Sequence, residues 1–273
     1  MEQIARFGPD EILTGILSEP EGDAPQSLVA VMWNAGLNHR VAPGRAWVEL
    51  ARMLAKRGVA SLRFDLSGLG DSRSRDELVG DLERAVLDLQ DALDWLEAKG
   101  YRRFVLVSNC SGTDNSHHVA QRDRRVVGAA YLDGYSYITR RYRLLRGPLR
   151  WFSPGHYRRR LMRLFPQAFG IPADARVVGA RDEIYQRDYP SEEQFEAAVL
   201  GMVTRGVKLL YVFSGATQYA YRAQFWDWFR HPELKSKIEV EYYRDADHVY
   251  SQVLPRQRML TRVERFVLGC RDA

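Results

Sequence analysis

FVLVSNCSGTDNSHH, residues 104–118, decides how this chain is read. Phe104, Val105, Leu106 and Val107 form an apolar run that enters Ser108-Asn109-Cys110-Ser111-Gly112 and then a polar segment able to open a helix. A strand, a tight turn and a helix start are predicted. Small residues flank a central reactive one at the spacing of G-x-S-x-G, the sharp strand-to-helix turn that exposes a nucleophile. Here the centre is Cys110 and Ser108 stands where the first glycine would be. The thiol is either a nucleophile or a packing residue, since cysteine is among the most buried side chains.

On the N-terminal side, SLVAVMWN (27–34) is an apolar run of the kind a buried strand shows, ending in the loop AGLNHRVAPG. RAWVELARMLAKRG then puts Trp47, Leu50, Ala51, Leu54 and Ala55 on one helical face and stops at Gly58. VASLRFDLSG (59–68) predicts a second strand. Between Asp76 and Gly100, Leu78, Leu82, Val86, Leu89, Leu93 and Leu96 recur every three or four residues, predicting a long amphipathic helix.

On the C-terminal side, a short helix (113–121) and the strand VVGAAYLD (126–133) follow. The alternation breaks from Gly134 to about Gly206, a stretch rich in aromatic residues and arginine and punctuated by five prolines from Pro148 to Pro190. It resumes with the strand VKLLYVFSG (207–215), a helix around 221–229, the strand KIEVEYYRD (237–245) and a helix from about Pro255 to Val267. Strands alternating with helices predict an α/β fold with a mostly parallel central sheet. Residues 1–133 and 207–273 are expected to form its core, and 134–206 an inserted helical cap. Ligands of such sheets sit beyond the carboxyl ends of the strands, where the polar motifs fall.

With 273 residues, 45% apolar and 11% aromatic, the chain can bury a large core, so disorder is not expected. No run of about 18 or more uncharged apolar residues is present, and the first twenty residues carry acids instead of a basic start. A cytoplasmic protein without a signal peptide or membrane span is expected. Cys110 and Cys270 are the only cysteines, which gives neither a disulfide framework nor a metal-ligand cluster. The net charge of +5 conceals a block of nine arginines between Arg140 and Arg163 with no acidic residue among them. Such a block is either a solvated helix face or a local positive field suited to a phosphate or an acidic partner. Nucleic acid is not expected, because no recognised nucleic-acid module accompanies the block.

LRFDLSGLGDS (62–72), the SNCSG turn and DADHVYS (245–251) occur in an order that resembles the α/β-hydrolase superfamily, and the likeness covers nearly all of the chain outside the cap. NAG-x-x-HR, the C-S-G turn and LDGY together are similar to a bacterial group of α/β-hydrolase-like proteins whose substrate is uncertain. The resemblance implies a nucleophile, base and acid brought together from successive strand ends. Cys110 is the candidate nucleophile and His248, after the last core strand, the candidate base. At the commonest acid position Gln218 offers only an amide. Asp133, closing an otherwise apolar strand, is the candidate acid, ahead of Asp245 and Asp247. Backbone N–H groups of Ser111 and of Gly36 or Leu37 are expected to form an oxyanion hole. Asp65 is expected to tie its loop to its neighbours.

These residues imply acyl transfer through a Cys110 acyl-thioenzyme. The substrate would be an ester or thioester, hydrolysed or passed to another acceptor, with no cofactor or metal required. Coenzyme A or an acyl or peptidyl carrier protein would give the arginine block, Arg158, Arg159 and Arg160 above all, a phosphate or carboxylates to bind. His39 is expected to line the pocket. Tyr135, Tyr137, Tyr142, Trp151 and Phe152 form either an acyl channel or the core of the cap. A catalytically silent scaffold that binds a small molecule or protein in the same pocket is the alternative, and Gln218 is the feature in its favour.

Overall fold

The computed structural model describes residues 1–21, 27–151 and 189–272, with the backbone alone for 147–151. Eight strands form one sheet: β1 (Glu2–Phe7), β2 (Leu13–Ser18), β3 (Leu28–Trp33), β4 (Ala60–Phe64), β5 (Arg103–Asn109), β6 (Val126–Leu132), β7 (Lys208–Ser214) and β8 (Ile238–Tyr243). Their spatial order is β1-β2-β4-β3-β5-β6-β7-β8. β1 and β2 form an antiparallel hairpin joined antiparallel to β4. From β4 to β8 every pairing is parallel.

Helices cover both faces, which is why the central strands read as continuous apolar runs. Successive side chains of β3 alternate between two cores: Val29, Val31 and Trp33 join one, and Leu28, Ala30 and Met32 the other. α1 (Ala46–Lys56) and the C-terminal helix Val253–Arg271 close the second core with Trp47, Leu50, Leu54, Val263 and Phe266. α2 (Asp81–Ala98) and α3 (Gly112–Arg122) close the first with Leu89, Leu93, Leu96 and Val119. After α4 (Arg140–Trp151) come α5 (Glu192–Thr204) and the short α6 (Gln224–Trp228), and the C-terminal helix is α7.

Three features depart from the sequence expectations. α2 begins at Asp81, with Gly80 as its N-cap, instead of near Asp76. Leu78 is consequently fully exposed rather than part of the apolar stripe. The N-terminal hairpin was not foreseen, because β1 is an edge strand burying only Ala5 and Phe7, and Gly15 interrupts β2 in sequence. α5 lies within residues 134–206, yet it packs as a core helix. Phe195, Val199, Met202 and Val203 are buried in the first sheet core. Its start is fixed by a capping box in which Ser191 Oγ accepts the Gln194 N–H.

α4 begins the segment read as a cap and is anchored to the loop after β7. Arg146 donates to the Gly215 carbonyl at 2.9 Å, and the Arg141 guanidinium lies 4.7 Å from the centre of the Tyr221 ring. At least these two cations of the arginine block hold the fold. Arg158, Arg159 and Arg160 lie outside the described residues. Among the described residues, no helix is long and apolar enough to cross a membrane.

Candidate active site

The site is assembled at the carboxyl ends of β5, β6 and β7 and from the loop after β8. β5 delivers its chain into a turn so tight that Cys110 adopts a left-handed backbone, φ 52°. Such a conformation costs a non-glycine residue roughly 1–3 kcal/mol and persists only where the surroundings enforce it. The enforcing bonds are visible. Cys110 N–H donates to the Leu132 carbonyl at 2.9 Å, and the Thr113 hydroxyl donates back to the Cys110 carbonyl at 2.6 Å. The Cys110 side chain is half-buried, whereas Cys270 is buried and its thiol is pushed up to about 12 by that burial. The two cysteines therefore occupy different environments.

Asp133 follows β6 and is also left-handed, φ 51°. Its buried carboxylate accepts the Ser214 N–H on Oδ1 and the Ser214 hydroxyl on Oδ2, each at 2.7 Å. His248 Nδ1 lies 3.0 Å from the same Oδ2. The histidine is held well above its ordinary value, at about 10, first by the hydrogen bond to Asp133 and next by one to Cys110, with burial opposing both. Cys110 and Asp133 are thus both joined to the same imidazole.

The competing carboxylates serve the turn that carries the histidine. Asp247 accepts the N–H groups of Val249 and Ser251, and Asp245 pairs with Arg258. Gln218 is exposed, and its backbone carbonyl accepts from the Gln224 side chain. His117 is a core residue stacked on Phe195, and burial drives it down to about 3. Tyr135 is buried against His117, Phe195 and Tyr189, so it belongs to an aromatic core and not to an open channel.

Of the expected oxyanion donors, Gly36 N–H is occupied: it donates to Ser111 Oγ at 2.9 Å. Among the described residues the N–H groups of Ser111 and Leu37 have no acceptor. The hydroxyl of Ser111 therefore pins the loop that carries Leu37 to the turn that carries Cys110.

His39, expected in the pocket, instead faces acids. Its Nε2 lies 3.4 Å from Asp65 and 3.6 Å from Asp71. These three side chains could converge on a metal ion, but the Arg40 guanidinium pairs with both aspartates and is the cation already among them. Asp65 also accepts the Arg40 and Asp71 N–H groups. It ties the loop after β3 to the loop after β4.

A cavity of about 140 Å³ opens beside the turn, between these two loops, α2 and α3. Ser111 and Gly36 border it, Leu66, Leu69 and Ala85 give it apolar walls, and Asn34, Ser67 and Asn115 contribute polar groups. One side is stiffened by a pair not foreseen in the sequence. Asp88, buried within α2, accepts Arg75 Nε and the Ser67 N–H. Neither Ser214 nor Asp88 could be singled out by local pattern, because each acts on a partner distant in sequence.

The sequence profile of the alpha/beta hydrolase family matches residues 32–270, and the chain belongs to that family. No curated protein matches it. Solved structures share the fold at low identity. Proline iminopeptidase from Mycobacterium smegmatis is 16% identical, with a TM-score of 0.58 over 99% of this chain and 98% of that one. The alpha/beta hydrolase GrgF from Penicillium sp. sh18 is also 16% identical, with a TM-score of 0.61 and full coverage of both chains. An esterase from Pyrococcus furiosus is 15% identical, at a TM-score of 0.59, covering 99% and 91%.

Proposed function

We propose that this member of the family is a cysteine-nucleophile acyl-transfer enzyme acting on thioesters or esters, with Cys110, His248 and Asp133 as its triad. One observation carries the proposal: His248 is hydrogen-bonded to Cys110 while its Nδ1 is 3.0 Å from the buried carboxylate of Asp133. An imidazolium beside a thiol on a turn at a helix N-terminus favours the thiolate, the nucleophilic form.

The resting pair is then thiolate and imidazolium, which changes the first duty of His248 from base to acid. The Cys110 sulfur attacks the acyl carbon, a C–S bond forms, and the bond to the leaving group breaks as His248 Nε2 gives it a proton. Neutral His248 next takes a proton from water or another acceptor. That oxygen, nitrogen or sulfur bonds the acyl carbon, the C–S bond breaks, and thiolate and imidazolium are restored. Developing negative charge on the carbonyl oxygen falls to the N–H groups of Ser111 and Leu37.

Thioesters of coenzyme A or of a carrier protein are the proposed donors, on the strength of the arginine block, with Arg158, Arg159 and Arg160 as its candidate docking residues. A reducing cytoplasm would keep the thiol free. Gln218 lends a silent scaffold little support, being exposed while Asp133 lies against His248. The test is chemical. Native protein should alkylate at Cys110 with iodoacetamide at pH 6.5 much faster than free cysteine, and a small thioester should leave an acyl mass on Cys110. Failure of both overturns the proposal.

A further inference from the structure

α4 divides the arginine block into cations that the fold uses and cations that it leaves free. Arg146 and Arg141 are held against the loop after β7, through the Gly215 carbonyl and the Tyr221 ring. Arg140 and Arg143 are exposed, and among the described residues neither side chain has an acid or a hydrogen-bond acceptor. Elsewhere on the surface arginines meet acids: Arg52 pairs with Glu2, Arg102 with Glu97 and Arg258 with Asp245. Arg140, Arg143 and Leu144 stand three and four positions apart, so they share one side of the helix. Leu144 is 74% exposed and Leu145 45%, and Ile138, just before the helix, is 42% exposed. Apolar side chains grouped on the surface and rimmed by charge mark an interaction site. The sequence around them offers no counter-charge, since no acid occurs from Gly134 to Ala173.

From this pairing of free cations with exposed leucines we infer that the outward side of α4 is a docking surface for an anionic lipid membrane. The inference stands apart from the acyl-transfer proposal. Charge complementarity selects the occupant: headgroup phosphates of an anionic leaflet pair with the guanidinium groups of Arg140 and Arg143. Leu144, Leu145 and Ile138 enter the acyl boundary beneath the headgroups, as the apolar side of an interfacial helix does. A free phosphate or nucleotide would use the arginines and leave the leucines in water. A leaflet supplies anions and hydrocarbon at every point, so a convex helix side engages it without a matching hollow. The place of α4 ties this surface to the site. Gly215, which Arg146 holds, follows Ser214, the residue bonded to Asp133, so the helix lies at the carboxyl ends of the strands.

The experiment is co-sedimentation of the full chain with vesicles of phosphatidylcholine alone and with about one-third phosphatidylglycerol added. The native chain should pellet with the anionic vesicles only. Salt at about 1 M, which shortens the screening length to about 3 Å, should release it. Arg140→Gln combined with Arg143→Gln should weaken partitioning roughly twenty-fivefold, about fivefold for each charge removed. Leu144→Ser should weaken it roughly tenfold through lost apolar burial. Neither arginine has a partner in the fold, so urea denaturation should not distinguish the double variant from the native chain, and its loss of binding is then a loss of the surface. Equal pelleting with both kinds of vesicle, pelleting with neither, or unchanged partitioning of the double variant overturns the inference. An acidic acyl carrier protein in solution is the competing partner. Capture of it by the native chain, abolished by the same two substitutions while vesicles leave the chain unpelleted, assigns the surface to a protein and overturns the membrane.

Discussion

Ser214 gives both of its polar hydrogens to Asp133: its N–H goes to Oδ1 and its hydroxyl to Oδ2, each at 2.7 Å. β7, in which Ser214 is the last residue, thereby orients a carboxylate that belongs to the end of β6. With the carboxylate fixed, the His248 ring is fixed by its bond to Oδ2. Asp133→Asn should slow acylation of Cys110 by about a hundredfold, within the span of positioned acid–base groups. Ser214→Ala should slow it by about tenfold. Asp245→Asn, on an aspartate paired with Arg258, should change it less than about threefold. Single-turnover thiol release from a thioester measures all three.

The proton held on His248 should be visible in a titration. Its folded value of about 10 against an ordinary 6.5 means that the folded chain keeps a proton the unfolded chain has lost between those limits. The stability this supplies is full below pH 6.5 and is lost as pH rises through about 10. Ionisation of the Cys110 thiol in the unfolded chain also changes the proton count, so the measurement belongs in Cys110→Ala, where the bond to Asp133 remains. In that variant urea denaturation should show stability falling as pH rises above 6.5. Up to the ordinary thiol range at about 8.5 the slope should vanish when Asp133→Asn is added; above it the buried Cys270 thiol, also raised, keeps a slope of its own.

The Ser111 hydroxyl holds the Gly36 N–H at 2.9 Å and so sets the position of Leu37. Ser111→Ala keeps the backbone N–H of residue 111 and removes this anchor. Acylation should fall by about tenfold, with kcat affected more than KM, because a misplaced donor weakens the transition state selectively. Steady-state kinetics with one thioester separates the two parameters.

Gly36 and Gly70 share φ 53°, so alanine is strained equally at both. Their surroundings differ. Nothing lies within 4 Å of where a Cβ on Gly36 would be, whereas one on Gly70 would collide with the Asp65 carboxylate. Gly36→Ala should cost about 1 kcal/mol from backbone strain alone. Gly70→Ala should cost about 2 to 4 kcal/mol, since it also displaces the aspartate joining the two loops beside the site. Urea denaturation of the two variants isolates the collision.

Much of this molecule is legible along its chain because the signals are local. Buried parallel strands must be apolar on both faces, so β3, β5, β6 and β7 announce themselves as uninterrupted runs, and helix stripes such as Leu89, Leu93 and Leu96 follow the helical repeat. The α/β class follows from such patterns, and the candidacies of Cys110 and His248 from the family resemblance carried by the order of the motifs. Where burial is one-sided or broken the signal fails, as in β1, with most of its residues exposed, and β2, split by Gly15. α5 was hidden for a different reason. Its sequence is helical, but only packing shows that Phe195 and Val199 enter the sheet core.

The amino-acid order alone determined which residues could do chemistry: a cysteine in a strand-to-helix turn, a histidine after the last strand, and an aspartate closing an apolar one. Which of them meet is a tertiary matter. Asp133 and His248 are 115 positions apart and touch because β6 and the loop after β8 open at the same end of the sheet. Ser214 and Asp88 carry no local mark. Their roles arise from a neighbouring strand and a facing loop, and pairings across space such as these are set only when the chain folds.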